Sequence, residues 1–332
     1  MSLGTEMVRN VWGIEPTVLQ QMRAEASAAS AEPLTRSREM VARQAPAARA
    51  AGGSIGVLSL SGVILQRPSA MSLYFGGTAC ETFSAQLRDL AADDTVSSIV
   101  INCCSPGGSV FGVSELYGEL MQAKVMKPVA GVINSQCGSA AYWLLSACSQ
   151  LIITPGGECG SIGVYEIHED DSEALKAAGI AITMISAGKY KVEGAPFGPL
   201  SAEAKGFKQS RVNEYYQTFT NSVARGRGVS VEKVRSGFGQ GRMLGAKAAL
   251  AEGMVDGIGT ITEVVGAMAR NIQAGNRNAL VLPGRTAAAI ANNARIREIE
   301  ILEAGSTPPP REPSARLARM LAEVANLQRD AR

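Results

Sequence analysis

The sequence predicts an α/β fold, and three observations carry that prediction. Short runs rich in β-branched residues recur from Ser54 onward and read as strands: IGVLSLSGVIL, SSIVINCC, VAGVI, LIIT, SIGVYEI and IAITMIS. Between them lie helix-patterned stretches, ETFSAQLRDLAAD, VFGVSELYGELMQAK, SAAYWLLSACS and SEALKAAG. Alternation of this length implies parallel βαβ units with right-handed crossovers, since a parallel neighbour is reached only through a crossover. The composition, 46% hydrophobic and 19% charged over 332 residues, supplies ample material for a core.

Taken in order, residues 1–52 are rich in Ala, Arg, Glu and Ser. EASAASAEPLTRS and RQAPAARAAGG read there as weak helix and linker, an N-terminal extension. The strand–helix alternation marks a domain over 53–270. After Ala202 that domain turns helical, through KGFKQSRVNEYYQTFTNSVARGRG and AKAALAEGMVDGIG. Residues 271–332 form a second flexible extension, with a Pro-rich linker GSTPPPREP at 305–313. Its last segment, SARLARMLAEVANLQRD, has Leu317, Met320, Val324 and Leu327 at heptad spacing. About two heptads are too few for a stable isolated coil, so this helix is expected to dock on a partner or pair weakly in an oligomer. The linkers at 30–52 and 275–313 are expected to be open to self-cleavage.

The bulk numbers exclude several classes. A formal charge of +2 gives no electrostatic case for nucleic-acid binding. No apolar run approaches the roughly 20 residues of a membrane span. The start, MSLGTEMVRNVWGIEP, lacks the basic-then-apolar layout of a secretory signal, so the expected location is the cytoplasm. The six cysteines (80, 103, 104, 137, 148 and 159) sit in apolar or Gly-rich segments and are expected as reduced thiols. Cys103 and Cys104 should point to opposite faces of a strand. No CxxC pair supports a zinc site, and no cofactor or metal is expected. The single histidine, His168, lies in the acidic stretch YEIHEDDSEA, so a Ser-His-Asp triad would depend wholly on one solvated residue.

Three Gly-rich turns follow strands: SPGGSV at 105–110, QCGSAAY at 136–142 and GGECGSIGV at 156–164. None ends in GK[ST] or opens a helix with GxGxxG spacing, which argues against phosphate binding. Each serves equally as a tight turn or as a place where backbone N–H groups face a developing oxyanion. Ser139, between Gly138 and two alanines, is either the N-cap of the next helix or a nucleophile among backbone amides. A nucleophilic serine needs a base, and lysine serves if it is neutral. Its ordinary pKa near 10.4 must then fall to near neutrality, ~4 kcal/mol against the charged form. The stretch ISAGKYKVEGAPFGPL offers Lys189 and Lys191, and strand alternation places both on one face. The pattern does not choose between them.

The motifs SPGG, GSAAYW, GSIGV and GKYKVEGAPF, in this order and spacing, resemble the signal peptide peptidase A family of serine–lysine proteases. The resemblance is closer to its phage branch, the head-maturation (capsid, prohead) proteases. It covers about residues 54–270 and includes MLGAKAALAEGMVDGIG. Carried over, it makes Ser139 the nucleophile, Lys191 rather than Lys189 the general base, and Ser161 the residue that hydrogen-bonds the lysine. It makes Gly107 or Gly108, with the amide of Ala140, the oxyanion hole. Cellular members usually have Ser-Gly-Gly where this chain has Ser-Ala-Ala, the phage-like form.

The resemblance further implies a crotonase/Clp-protease-like spiral of ββα units with a helical C-terminal part. The activity it implies is a Ser-Lys dyad endopeptidase, a hydrolase that needs no cofactor. Protein or peptide substrates, a capsid or scaffold protein as partner, and a ring-like homo-oligomer follow from it. The setting would be the host cytoplasm or the assembling phage head. The alternatives are a bacterial signal-peptide peptidase clearing membrane remnants, a non-catalytic scaffold component whose extensions do the work, and a non-proteolytic crotonase-fold protein that binds acyl-CoA. The last would use the same amides without needing Lys191.

Overall fold

The computed structural model describes residues 12–14, 18, 20, 48–50, 53–68 and 76–275, all within the unit Met1–Arg297. The heptad residues 317, 320, 324 and 327 and the linker at 305–313 lie outside the described residues.

The fold is mixed α/β, with a mostly parallel sheet and helices. Its central strands are β3 (Gly53–Ser61), β6 (Val96–Ser105) and β8 (Val129–Gly138), paired parallel in the order β3-β6-β8. Strand β6 is buried along nearly its whole length, as a strand covered on both faces should be. At its end Cys103 is buried and Cys104 exposed, in keeping with strand alternation. A short β2 (Ala48–Ala50) closes one edge antiparallel to β3.

Strand β8 has two partners on its far side. Its first half, Ala130–Ile133, pairs parallel with β9 (Gln150–Ile153). Its second half, Gln136–Gly138, pairs parallel with β10 (Glu158–Gly160). The strand changes direction between them at Ser135, whose φ is 89°. Beyond β10 lies β11 (Met243–Gly245), antiparallel, and beyond β9 lies β12 (Gly257–Ile258), parallel.

A second sheet has the order β1-β7-β4-β5: β1 (Trp12–Ile14), β7 (Gly107–Ser109), β4 (Val63–Leu65) and β5 (Gly77–Ala79). Its placement depends on glycine. A Cβ on Gly108 would stand 1.9 Å from the Ile64 carbonyl oxygen, so β7 and β4 approach closely only without a side chain there.

Helices α1 (Cys80–Ala92) and α2 (Val113–Met126) bury one stripe each: Cys80, Phe83, Leu87 and Ala91, then Val113, Leu116, Tyr117, Leu120 and Ala123. The i, i+3/i+4 spacing is what an amphipathic helix on a sheet requires. Helix α3 (Ala140–Leu145) is buried at every residue. It packs Trp143 flat on Phe219 of the long α5 (Ala202–Arg227), with ring centroids 4.7 Å apart and planes 8° apart. Helix α5 starts at Ser201, whose side chain accepts from the Ala204 amide, and stops at Gly228 in the left-handed region. Near its end Arg227 forms a two-pronged pair with Asp256, at 2.5 and 3.1 Å, and Asp256 also accepts from the Leu151 amide. This ties α5 to the base of β9. The remaining helices are α4 (Ser172–Ala177), α6 (Val231–Ser236), α7 (Ala246–Glu252) and α8 (Ile261–Gln273). Helix α8 opens with a capping box between Thr260 and Glu263.

Two expected strands take another form. SIGVYEI is irregular apart from a single antiparallel bridge between Tyr165 and Trp12. IAITMIS, residues 180–186, has no regular structure and is exposed throughout. Its apolar residues find no sheet edge among the described residues, so propensity there is not matched by pairing.

Candidate active site

Strand β8 delivers the chain to Ser139 and helix α3 leads away from it. The turn between them is strained: Ser139 has φ 50° and ψ −116°. A non-glycine residue there costs on the order of 1–3 kcal/mol and persists only where its surroundings fix it. Two backbone hydrogen bonds do so. The Ser139 amide donates to the Gly160 carbonyl at 2.7 Å, and the Ser139 carbonyl accepts from the Trp143 amide at 2.9 Å. The side chain does not cap α3. Its Oγ instead lies 3.4 Å from the Gly163 carbonyl, as a weak donor. Of the two roles open to this serine in the sequence, capping is not the one the geometry uses.

The other predicted groups gather around this turn. Gly107 has φ 101°, and a Cβ there would stand 3.1 Å from the Ser139 Cβ and 2.9 Å from the Gly138 carbonyl oxygen. Only glycine allows β7 to pass so close. Ser105 braces the approach, accepting from the Gly107 amide at 3.1 Å and donating to the Gly62 carbonyl at 2.6 Å. Ala140 provides the first amide of α3. Ser161, buried and also at positive φ (53°), follows the Gly160 that holds Ser139, and its amide donates to the Arg242 carbonyl at 2.9 Å. Tyr142 and Trp143 serve packing, with the Tyr142 hydroxyl donating to the Met254 carbonyl at 2.8 Å.

The lysines lie elsewhere. Lys191 is exposed in a turn whose amide donates to the Gly188 carbonyl at 3.1 Å. Among the described contacts of the Ser139 hydroxyl it has no part. Lys189 is committed to Tyr190 and Glu203, with Nζ 2.5 Å from the Tyr190 hydroxyl and 3.4 Å from the carboxylate. His168 is half-buried, with Nε2 3.3 Å from the Gly198 carbonyl oxygen, a contact that fixes its own loop.

Two thiols flank the site, Cys137 before Gly138 and Cys159 before Gly160, side by side in the parallel ladder. Burial pushes Cys159 up to about 12 and Cys137 well above the ordinary thiol range. Burial therefore favours their protonated, weakly nucleophilic form. Among the described residues no cluster of three or more His, Cys, Asp or Glu is placed to hold a metal ion.

One part of the site was not anticipated from sequence. Strand β1 lies across the serine, which is only 1% exposed. A Cβ on Gly13 would stand 3.0 Å from Ser139 Oγ and 3.6 Å from the Ala140 nitrogen. The available signal was the short apolar run VWGI, with a glycine inside it and Glu15-Pro16 after it, too short to read as a strand.

Comparison with known proteins gives this geometry a context. Residues 121–275 match the model of peptidase family S49. The chain is 31% identical over 248 residues to the head-tail preconnector protein GP5 of Enterobacteria phage P21, covering 74% of this chain and 49% of the relative. It is 29% identical over 251 residues to capsid assembly protease C of Escherichia phage lambda, covering 74% and 57%. Protease 4 of Salmonella typhi is 26% identical over 215 residues, covering 64% and 34%. The chain thus spans about half the length of the phage relatives it matches.

Proposed function

Because residues 121–275 carry a peptidase family S49 domain, we propose that the chain is a serine endopeptidase working through a Ser139–Lys191 dyad. Neutral Lys191 takes the proton from Ser139 Oγ as the oxygen attacks a peptide carbonyl. The amides of Ala140 and of Gly107 or Gly108 receive the developing oxyanion. Collapse of the tetrahedral intermediate passes the proton from Lys191 to the leaving amine and leaves an acyl-enzyme. Water, activated by the same lysine, then releases the acid. Ser161 orients the lysine.

The observation that carries this reading is Ser139 itself: held at positive φ between two Gly-rich turns, its hydroxyl free of any capping duty. The choice of Lys191 gains support from Lys189's engagement with Glu203. Delivery of Lys191 requires the segment 180–192 to leave solvent, and that segment is apolar: Ile180, Ile182, Met184 and Ile185 are all exposed. Packing against another copy, in a ring-like homo-oligomer with a crotonase/Clp-protease-like spiral subunit, would bury it and give the lysine the apolar surroundings a neutral amine needs.

The client we propose is a scaffold or capsid protein during phage head maturation, in the host cytoplasm. The phage relatives favour it, since they align over 74% of the chain at 29–31% identity, against 64% at 26% for Protease 4 of Salmonella typhi. We propose the domain bounds 53–270, with the tail beyond 270 recruiting a partner, while β1 and β2 of the N-terminal extension add strands to the two sheets. Mass spectrometry of candidate head proteins incubated with wild-type chain and with Ser139→Ala tests the reading. Cleavage by the first and not the second is expected, and equal cleavage by both would remove Ser139 from the reaction.

A further inference from the structure

Strand β1 occupies a groove with two edges. On one side it pairs antiparallel with β7, in the register Trp12↔Ser109, Gly13↔Gly108 and Ile14↔Gly107. On the other, the Trp12 amide donates to the Tyr165 carbonyl at 2.9 Å and the Tyr165 amide donates to the Trp12 carbonyl at 3.1 Å. An extended tripeptide is therefore held by main-chain hydrogen bonds on both flanks, the way a sheet accepts an added peptide strand. Alternation sends Trp12 and Ile14 to one face and residue 13 to the other. Trp12 is 0% and Ile14 1% exposed, packed with Val63 and Leu65 and against Tyr165 and Ile167. Residue 13 faces Ser139 Oγ and the Ala140 amide, and at 3.0 Å a Cβ there would press on Oγ, so a glycine fits best. The Gly13 carbonyl oxygen is turned to Gly107, only 2.3 Å from where a Cβ on that residue would stand.

We infer that Trp12-Gly13-Ile14 is a built-in occupant of the peptide-binding groove. The groove accordingly takes extended segments with a glycine-sized residue opposite Ser139 between two bulky apolar ones, and other peptides must displace β1 to enter. This rests on the endopeptidase reading for what the groove is used for, but the occupancy is a matter of binding alone. A tethered occupant competes at an effective concentration in the millimolar range, so its removal should raise the apparent affinity for free peptides by an order of magnitude or more.

The experiment uses the full chain carrying Ser139→Ala, so that nothing is hydrolysed. A fluorescein-labelled peptide with the sequence of residues 10–16, NVWGIEP, is titrated by anisotropy into this protein and into the same protein with Trp12→Ala and Ile14→Ala. At least about tenfold tighter binding to the second is expected, and loss of that binding when the peptide's Trp is replaced by Ala. Equal affinity for the two proteins, with both folded by circular dichroism, overturns the inference. Should the double substitution unfold the chain, Gly13→Val with Ser139 intact serves instead. Its side chain crowds Oγ and is expected to weaken the seating of β1, so KM for a small peptide should fall by about tenfold; an unchanged KM overturns the inference. The two readings fail separately. Hydrolysis that needs Ser139 but ignores the β1 substitutions leaves the protease and removes the occupant. Enhanced peptide binding with no Ser139-dependent hydrolysis does the reverse.

Discussion

The amide of Ser139 donates to the carbonyl of Gly160 at 2.7 Å, and this one bond ties the serine's turn to the residue that precedes Ser161. Two loops far apart in the chain are thereby held in one frame. If Ser161 acts by orienting the base, its loss should disturb the reaction less than loss of either dyad member. Ser139→Ala and Lys191→Ala are each expected to lower kcat/KM by at least 10²–10⁴-fold, on the order of a missing general base. Ser161→Ala should cost less than either. His168→Ala should leave the rate within about twofold, since its ring is hydrogen-bonded to the Gly198 carbonyl of its own region and not to Ser139. A His168→Ala chain as inactive as Ser139→Ala, in a peptide-hydrolysis assay, would sink the dyad.

The pH profile tests the protonation state. A lysine that must be neutral to accept the Ser139 proton gives a kcat/KM that rises with pH and then levels. The profile of wild-type chain, measured with a small peptide and with circular dichroism to follow the fold, should show this rise. A rate independent of pH while the fold holds removes lysine from the role of base.

The buried thiols set a limit to alkaline stability. Burial pushes Cys80, Cys148 and Cys159 up to about 12 from an ordinary 9.0. Between those values the unfolded chain has lost these protons while the folded chain keeps them. The unfolded state then binds fewer protons, so stability falls as pH rises from about 9 toward 12. Urea unfolding at pH 8 and pH 10 should show the decline, and Cys148→Ala should make it shallower. A midpoint that does not move between those pH values would refute the claim.

The segment around Ile185 tests assembly. Ile185 is 95% exposed within a single chain, with Ile180, Ile182 and Met184 beside it. If these residues meet another copy, Ile185→Asp should shift the mass seen by light scattering toward a single chain. Hydrolysis should fall with it. An oligomer unaffected by the charge would place the contact elsewhere.

Much of this site is legible in the sequence because it is built from backbone. Gly107, Gly108 and Gly138 announce turns that tolerate no side chain, and the close approaches to Ile64, Ser139 and Pro106 show why. Strands β6 and β8 are legible because a strand buried on both faces must be a continuous apolar run. What is not legible is pairing. IAITMIS has every local attribute of a strand, yet a strand exists only when a neighbour offers hydrogen bonds, and local sequence does not name the neighbour. Trp12–Ile14 shows the converse. Three residues are too few for any periodicity, and they become a strand because β7 and Tyr165 supply the ladder.

The divided partnership of β8 has a consequence for how the molecule breathes. Its first half sits in a ladder with β6 and with β9, which Asp256 and Arg227 anchor to α5. Its second half leans on β10, three residues long, whose own outer neighbour is only the three residues of β11, and keeps one pair with β6, Ser105↔Cys137. Exchange of amide protons with heavy water should therefore be slowest at 130–133 and measurably faster at 158–160. Opening of the β10 flank is therefore expected at a lower free-energy cost than opening of the core, and the first bond it would break is the one from the Ser139 amide to Gly160.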